Sequence, residues 1–352
     1  MEFLTIIKTG VMKKMILAMG AVMLLVSCAK EDVVEVVEPL QESVVYINLK
    51  NNLISKATGA GHGVQEDDNT INTLEIFIFR VNDGQTDNGV LDGYRKFSSQ
   101  ELGDLTSLEV QTTTGKKMIY AVANAHRANW QGINSIEQFK QQTALLENED
   151  LKDFIMVGGK EAELGLATTV AFSIQRLVSR VQLVSLKTAF AGGPYDGMSL
   201  KGVKAYLTNV QGGKYIFNGE GSNLKVLNSK KYIETDAQTF RMNGMLYDML
   251  GTDISDTGYS TAHSFYCFSN DITEEKDGNK FTRVVIEGVL NGITYYYPIA
   301  LPELKRNCCY SLDITIKRPG SLNPDSDVEK GTLLASVNVL DWEVADDNVV
   351  EF

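Results

Sequence analysis

The run from Thr168 to Leu186 is the feature of the sequence that most limits its fold. It is nearly continuous in β-branched and other strand-forming residues, but an ordinary strand has only about 5–6 residues. The run therefore predicts two strands with a crossover near Arg176 to Ser179, where the last strand of one β-domain leads into the first strand of the next. The 352 residues, 43% of them hydrophobic, are enough for two such domains.

Short segments of the same character recur along the chain and are separated by turn residues. The predicted strands are Ile71–Arg80, Leu105–Thr112, Lys116–Asn124, Leu200–Thr208, Phe281–Val289, Thr294–Leu301 and Tyr310–Lys317. Asn291-Gly292 predicts a two-residue hairpin turn between two of them. Ser135 to Leu146 predicts a short surface helix with Ser135 as its N-cap. The sequence therefore predicts an all-β protein with few short helices.

The N-terminus resembles a bacterial lipoprotein signal. Met12-Lys13-Lys14 forms a basic region before an apolar core, Ile16 to Val26, that is too short for a comfortable membrane span. The core ends in Leu25-Val26-Ser27-Cys28, where the cysteine would receive the lipid. This pattern predicts a signal peptide over residues 1–28 and lipidation at Cys28. An ordinary secretory signal with an incidental cysteine is the alternative, and translation of residues 1–11 is left open because Met12 also opens a typical signal.

The stretch from Ser43 to Ala60 predicts a strand followed by a linker that a protease can reach. Val45, Ile47 and Leu49 alternate with other residues and so fall on one face of a strand. Lys56 follows in a polar linker, where a protease of basic specificity is expected to cut if the linker is exposed. We interpret residues 29–56 as an acidic tether with a removable first strand. An ordinary edge strand followed by a loop is the alternative.

The C-terminal region predicts a strand behind a flexible loop. Residues 318–327 are rich in proline, glycine and acids, which is typical of a mobile loop. Gly331 to Val344 then has a strand pattern whose apolar face carries Leu333, Ala335, Val337 and Val339. We expect this strand to swing out on a hinge over Pro319 to Glu329; a fixed strand of the second β-domain is the alternative.

The composition argues against several classes of function. The net charge is −12 and no cluster of lysine and arginine is present, so a role in nucleic-acid binding is not expected. His62, His126 and His263 belong to no zinc-binding or hydrolase motif. Gly59-x-Gly61-x-Gly63 precedes acidic residues and no helix, which excludes a phosphate loop. The sequence therefore predicts no enzyme, no cofactor and no metal site.

Other residues with chemical potential have structural interpretations. Cys267, Cys308 and Cys309 offer no disulfide framework and are interpreted as small buried side chains. Trp130 and Trp342 are either glycan-stacking platforms or, as is more common in a β-rich chain, partly buried core residues. The acids at Asp325 and Asp327 do not have the spacing of a calcium-binding loop and are interpreted as solvated.

An ordered set of short segments resembles the FimA/Mfa-like fimbrillins, the pilus subunits of Bacteroidales. The segments are Leu25 to Cys28, Ser43 to Lys50, Lys56 to Gly59, Ile71 to Phe79, Tyr120 to Ala125, Arg176 to Val181, Arg306-Asn307 before Tyr310, Ile316 to Ser321 and Asp341 to Glu343. The resemblance runs from Cys28 to Trp342 or beyond. Ala29-Lys30-Glu31-Asp32 also looks like a surface-export signal of Bacteroidetes lipoproteins.

This resemblance implies two transthyretin-like Greek-key β-sandwich domains in tandem, over residues 57–178 and 179–352. It implies a surface-exposed outer-membrane lipoprotein precursor that is cut between Lys56 and Ala57, which removes the first strand. The mature subunits would polymerise head to tail by donor-strand exchange into an extracellular fimbrium that supports adhesion. The segment from about residue 330 to 352 would be the donor.

The resemblance also implies partners. These are other fimbrial subunits, including anchor and tip subunits, and a processing protease. Because Lys56 stands where better-known relatives have arginine, a trypsin-like protease that accepts lysine fits better than an arginine-only one. Whether the chain forms the shaft or the tip is left open. Two other functions are considered: a glycan-binding outer-membrane surface lipoprotein, and a secreted hydrolase, for which the sequence shows no site.

Overall fold

Regular structure in this chain is almost entirely β. The computed structural model describes residues 40–49, 70–126, 128–151, 153–217, 224–233, 246–276, 279–329 and 331–341. Its strands are β1 (Glu42–Leu49), β2 (Leu74–Arg80), β3 (Leu91–Phe97), β4 (Leu108–Thr113), β5 (Gly115–Ala123), β6 (Thr143–Leu145), β7 (Met156–Leu164), β8 (Ala167–Phe172), β9 (Gln175–Arg176), β10 (Val178–Thr188), β11 (Lys201–Thr208), β12 (Val210–Gln211), β13 (Gly213–Tyr215), β14 (Val226–Leu227), β15 (Tyr247–Met249), β16 (His263–Phe268), β17 (Thr282–Leu290), β18 (Ile293–Leu301), β19 (Cys308–Ile316) and β20 (Leu333–Asp341). Its helical segments are α1 (Ile136–Lys140) and the 3₁₀ turns Ser99–Glu101 and Leu146–Asn148. The predicted all-β class with few short helices is confirmed.

Two sheets near the start of the described chain enclose a common apolar core. The larger sheet has the strand order β3-β2-β5-β7-β9, and the smaller has the order β4-β1-β8. Leu74, Ile76 and Ile78 of β2 are buried in this core together with side chains of β1. Phe77 and Phe79 are buried on the other face of β2, in a second core. Because both faces of β2 are covered, its sequence is a continuous apolar run and does not alternate.

Two four-stranded sheets form most of the remaining structure. Their strand orders are β16-β10-β19-β20 and β15-β11-β17-β18. Val181 and Leu312 of the first sheet are fully buried in the same core as Ala205 and Ile286 of the second. Residues on alternate positions of β11 and β17 face away from this core. On that face Lys204 and Glu287 are partly exposed, whereas Tyr206 and Val285 are buried.

The break predicted in the 168–186 run is confirmed. β8 ends at Phe172, β9 covers Gln175–Arg176 and β10 begins at Val178. β9 pairs with β7, whereas β10 pairs with β16 and β19. The chain thus changes from one sheet to another at Leu177. The division into domains at residues 57–178 and 179–352 stays a prediction.

Two local predictions have different outcomes. Asn291 and Gly292 join β17 to β18 with φ values of 50° and 79°, which confirms the two-residue hairpin turn. Ser135 is the N-cap of α1 and accepts a hydrogen bond from the Gln138 amide. The prediction that this helix continues to Leu146 is wrong, since α1 ends at Lys140. The backbone of Thr143–Leu145 pairs instead with β13, a partner that the local sequence does not contain.

Candidate functional site

β1 is the central strand of its sheet, so the expectation of an edge strand is wrong. It pairs antiparallel with β4, from Glu42 opposite Thr113 to Ile47 opposite Leu108. On its other side it pairs parallel with β8, from Val44 opposite Ala167 to Leu49 opposite Phe172. β4 and β8 are neighbours only through β1. We call the space that β1 occupies between them the β1 slot.

The predicted apolar face of β1 fills the floor of this slot. Val45 and Ile47 are fully buried, and Leu49 is 2% exposed. They pack with Ile76 and Ile119 of the larger sheet and with other members of the same core. Burial of an aliphatic side chain contributes about 1.5–3 kcal/mol. The three side chains therefore account for a large part of the affinity between β1 and the rest of the protein.

Both ends of β1 are also fastened by hydrogen bonds. Ser43 is buried and its hydroxyl donates to the Gly165 carbonyl over 2.5 Å. The Gln41 amide donates to the Thr114 hydroxyl at one end, and the Leu49 amide donates to the Leu105 carbonyl at the other. A strand that replaced β1 would need a small residue at the Ser43 position, because this side chain lies so close to a backbone oxygen.

The β4 wall of the slot is held by a buried charged group on β3. Asp92 accepts hydrogen bonds from the hydroxyls of Thr112 and Thr113 on β4, each over 2.7 Å. The Arg80 guanidinium lies 2.6 Å from its other oxygen. Burial alone would raise the pKa of Asp92, but these hydrogen bonds hold the pKa well below its usual range. The carboxylate stays charged and ties β4 to the larger sheet independently of β1.

The β8 wall is held by close backbone packing. A Cβ atom at Gly158 of β7 would lie 2.1 Å from the Ser173 carbonyl oxygen, so only glycine permits this approach. The Lys160 ammonium also donates to the Ala171 carbonyl over 3.1 Å. Both walls of the slot are thus attached to the larger sheet by contacts that do not involve β1.

Asn124 clamps the chain where it enters β2. It adopts a left-handed conformation with φ of 61° and is 3% exposed. Its side-chain oxygen accepts from the Asn72 amide over 2.8 Å, and its side-chain nitrogen donates to the carbonyls of Thr70 and Phe154. The entry to β2 is therefore fixed by the core of the protein. It does not depend on the continuity of the chain back to β1.

β20 contains all four predicted donor-strand residues. It is the last strand of its sheet, and its Leu333, Ala335, Val337 and Val339 lie opposite buried residues of β19. Even so, Val337 is 39% exposed and Val339 is 49% exposed. This apolar stripe is less buried in its own subunit than the matching stripe of β1 is in the slot.

The loop before β20 differs from the mobile hinge expected over Pro319 to Glu329. Ser321 exchanges two backbone hydrogen bonds with Tyr296 of β18. Asp325 accepts from the Asn209 side chain over 3.0 Å, and Asp327 pairs with Arg283 over 3.1 Å. Asp327 is still 80% exposed and Asp325 is half-buried, so both acids keep contact with solvent, as expected. The first glycine with positive φ after them is Gly331, at 83°, directly before β20.

The remaining candidate residues are placed as follows. Cys28, Lys56, Ala57, His62 and Trp342 lie outside the described residues. The three other cysteines are free and buried, which confirms their interpretation. Trp130 is partly buried against the core, with its ring centroid 5.0 Å from that of Phe77.

Two kinds of functional feature are absent from the described residues. Within those ranges, no three His, Cys, Asp or Glu side chains converge as metal ligands. In the same part of the chain, no helix has the length and hydrophobicity to cross a membrane. The histidines that are described contact acids: His126 lies 2.6 Å from Asp153, and His263 contacts Asp248.

The sequence did not reveal the charged residues that hold the slot walls. Arg80, Asp92 and Lys117 lie in strands of the structure. From the sequence alone, a charged side chain in a strand is expected to face solvent. A signal was present only for Lys117, which alternates in phase with the buried residues Ile119 and Ala121 of β5. Local pattern alone does not show that Lys117 and Asp92 meet.

The fold is shared with solved structures of cell-adhesion and fimbrial proteins. A putative cell adhesion protein from Bacteroides eggerthii superposes with a TM-score of 0.58 at 18% identity, covering 86% of this chain and 97% of that one. A fimbrilin (FimA) from Porphyromonas gingivalis has a TM-score of 0.58 at 15% identity, covering 87% and 99%. The tip fimbrial protein Mfa3 from the same species has a TM-score of 0.52 at 13% identity, covering 86% and 100%. This chain therefore has the β-rich fold of these solved structures.

A family model also matches part of the sequence. Residues 44–172, which include most of β1 and both walls of its slot, match the model of the major fimbrial subunit protein (FimA) family. The family match over this region, together with the shared fold, confirms the resemblance to fimbrillins. Among curated protein sequences, none matches this chain.

Proposed function

We propose that this protein is a structural subunit of a pilus that supports adhesion. It is made as a lipoprotein anchored at Cys28 in the outer membrane, cut between Lys56 and Ala57, and polymerised by donor-strand exchange into an extracellular fimbrium. In this role it has no catalytic activity, and its partners are other fimbrial subunits and a trypsin-like protease. The observation that carries the proposal is the central position of β1 in its sheet, with Val45, Ile47 and Leu49 buried.

The physical basis is the cost of an empty slot. Loss of β1 exposes the floor that Val45, Ile47 and Leu49 cover and leaves hydrogen-bonding groups of β4 and β8 unpaired. Each uncovered aliphatic position costs about 1.5–3 kcal/mol, and open strand edges favour pairing with another chain. By β-augmentation, a strand from a neighbouring subunit covers the apolar floor again and pairs with the open edges of β4 and β8.

β20 is the proposed donor. Its stripe of Leu333, Ala335, Val337 and Val339 has the alternation that the slot floor requires, and part of that stripe is exposed in its own subunit. Because the loop before it is fastened at Ser321, Asp325 and Asp327, we place the pivot at Gly331. Such an exchange uses different surfaces on the two subunits, so it builds an open fibre and not a closed ring.

Cleavage at Lys56 would remove the lipid anchor and β1 in one event. Cys28 and β1 both precede Lys56 in the chain, so the fragment that is lost carries the lipid and the strand. The walls of the slot and the Asn124 clamp all follow Lys56. The remaining subunit therefore keeps the residues that hold both walls of the slot in place without β1.

The test is limited proteolysis of the purified precursor. A lysine-specific protease is added, and the products are run on a denaturing gel without boiling, with N-terminal sequencing of the bands. We expect a stable product that begins at Ala57 and a ladder of polymers. A Lys56→Ala variant should give neither, whereas Lys276→Ala, at an exposed lysine among the described residues, should behave as wild type. Ladders from Lys56→Ala, or trimming with no ladder, would contradict the proposal.

A further inference from the structure

A row of four side chains crosses the outer face of the sheet β15-β11-β17-β18. Tyr296 of β18 lies opposite Glu287 of β17, Glu287 opposite Lys204 of β11, and Lys204 opposite Met249 of β15. Residues directly opposite each other share a face of the sheet. Three strand spacings of about 4.8 Å make this row about 14 Å long. It is the face turned away from the core that contains Ala205 and Ile286.

The centre of the row is a neutral, partly exposed polar pair. The Lys204 ammonium lies 3.1 Å from one oxygen of Glu287, and the Tyr206 hydroxyl donates to the other over 3.1 Å. The Lys204 side chain is 34% exposed and that of Glu287 is 17% exposed. An ammonium has three donors and a carboxylate accepts about four hydrogen bonds. Both groups therefore keep capacity for a ligand beside their mutual contact.

Tyr206 lies beside the pair, two residues after Lys204 on the same face of β11. Its side chain is 1% exposed. Burial, together with the charge of Glu287, raises the pKa of Tyr206 far above its ordinary value. The hydroxyl therefore remains protonated and keeps donating to the carboxylate. This fixes the orientation of Glu287 on the face of the sheet.

Tyrosine rings flank the polar pair on both sides. Tyr296 is half-buried at one end of the row. At the other end Tyr247 and Tyr232 are half-buried, with ring centroids 4.7 Å apart, and Tyr232 also lies 5.5 Å from Tyr206. Met249, 47% exposed, completes this end. Such rings offer apolar faces at a surface that also carries donors and acceptors.

We propose that this face binds a neutral carbohydrate. Sugar hydroxyls both donate and accept, which matches a Lys–Glu pair of zero net charge, and the C–H faces of sugar rings pack against tyrosine. Because the charges of Lys204 and Glu287 offset each other, the pair gives little net attraction to an anion or to a cation. A protein partner fits less well, because the centres of protein interfaces are depleted of charged residues. The inference does not depend on processing or polymerisation.

The first part of the chain contains a matched arrangement that serves as a control. Glu75 of β2 accepts from the Tyr94 hydroxyl over 3.1 Å and lies 3.2 Å from the Lys96 ammonium. The pairing of Glu with Lys across two strands is the same. However, the Glu75 side chain is only 5% exposed, and the ring next to Tyr94 is the buried Phe77. The Glu75 carboxylate is thus less accessible to a ligand than that of Glu287.

The test uses the precursor with β1 in place, so that assembly is not required. The precursor is applied to an array of glucose-, galactose- and mannose-based oligosaccharides and their sialylated counterparts. The affinity for each oligosaccharide that binds is then measured by calorimetry. We expect binding to one or more neutral oligosaccharides. Glu287→Gln and Tyr296→Ala should weaken it at least tenfold, whereas Glu75→Gln should leave it unchanged. Tyr296→Phe should retain most of the binding because it keeps the ring.

Folding is checked separately from binding. Far-ultraviolet circular dichroism and the urea midpoint of each variant should match wild type; if Tyr296→Ala fails this check, Tyr247→Ala replaces it. The variants should also form ladders after trimming, as wild type is proposed to do. Binding only to sialylated oligosaccharides, no binding to any sugar, or equal loss in Glu75→Gln would overturn the inference and leave the proposed pilus role untouched.

Discussion

The Lys117 ammonium lies 3.2 Å from the Asp92 carboxylate, and each side chain is only 1% exposed. Lys117 belongs to β5 and Asp92 to β3, so the pair spans strands of the larger sheet. Lys117 also donates to the Thr113 hydroxyl over 3.0 Å and to the Thr114 carbonyl over 2.9 Å. The pair therefore secures the end of β4 where that strand turns into β5, beside the point at which β1 begins.

Removal of the Asp92 carboxylate should destabilise the protein strongly. Asp92→Ala leaves the buried Lys117 ammonium without its charged partner, which typically costs about 3–5 kcal/mol. Urea unfolding of the precursor measures this change. The matched control is Glu101→Gln, which breaks the exposed pair of Arg95 and Glu101 and should cost less than about 1 kcal/mol. Equal losses in the two variants would show that the buried pair does not hold the wall.

Truncation of the apolar face of β1 should weaken the precursor. Ile47→Ala removes a fully buried side chain from the slot floor and should lower the free energy of unfolding by about 2–5 kcal/mol. Asn48→Ala changes a half-buried residue on the opposite face of β1 and should cost under about 1 kcal/mol. Chemical denaturation compares the two. A larger loss in Asn48→Ala would mean that the floor of the slot is not what holds β1.

Gly158 should tolerate no side chain. In Gly158→Ala the new Cβ would lie 2.1 Å from the Ser173 carbonyl oxygen, so β7 and the segment after β8 must separate. Overpacking of this kind costs about 1–3 kcal/mol or more. Gly103→Ala is the control, because no atom lies within 4 Å of a Cβ built at that position. Thermal unfolding should show a lower midpoint for Gly158→Ala alone, and unchanged midpoints in both would contradict the close approach.

Glu149 should make stability depend on pH. One of its oxygens accepts from the Ile155 amide over 2.9 Å, and the other has no hydrogen-bond partner within the described residues. Burial raises the pKa of Glu149 to about 8, from an ordinary value of 4.5, and the charge of Asp153 adds to this. Between these two values the folded state binds more protons than the unfolded state, so stability falls as the pH rises.

Glu149→Gln removes this titration and gives the test. The variant should gain stability over wild type between pH 5 and pH 8, by roughly 2–4 kcal/mol. Urea unfolding at the two pH values measures the difference. Glu163→Gln, at an exposed position, should show no such gain. A Glu149→Gln variant whose stability follows wild type at both pH values would contradict the raised pKa.

The features of the fold that the sequence predicts correctly are those that depend on residues close together in the chain. The alternation of Val45, Ile47 and Leu49 and the Asn291-Gly292 turn depend on neighbouring residues, and both are present in the structure. The central position of β1 depends on partners far along the chain, β4 and β8, so the pattern alone suggests an edge strand. The end of α1 at Lys140 likewise depends on β13.

The slot was predictable only in part. Its floor follows from the apolar face of β1, but its walls depend on Asp92 and Gly158, whose importance comes from contacts between different strands. The loop over residues 318–329 illustrates the same limit. Its composition is typical of a free loop, yet Asn209 and Arg283, which fasten it, lie far earlier in the sequence.

The mixed pairing of β1 fixes the direction of any filament formed in the proposed way. A replacement strand keeps both ladders only if it runs antiparallel to β4 and parallel to β8, and one orientation satisfies both. Every subunit added would therefore point the same way. The finished filament would have two chemically different ends: a vacant slot at one, and an unused strand at the other.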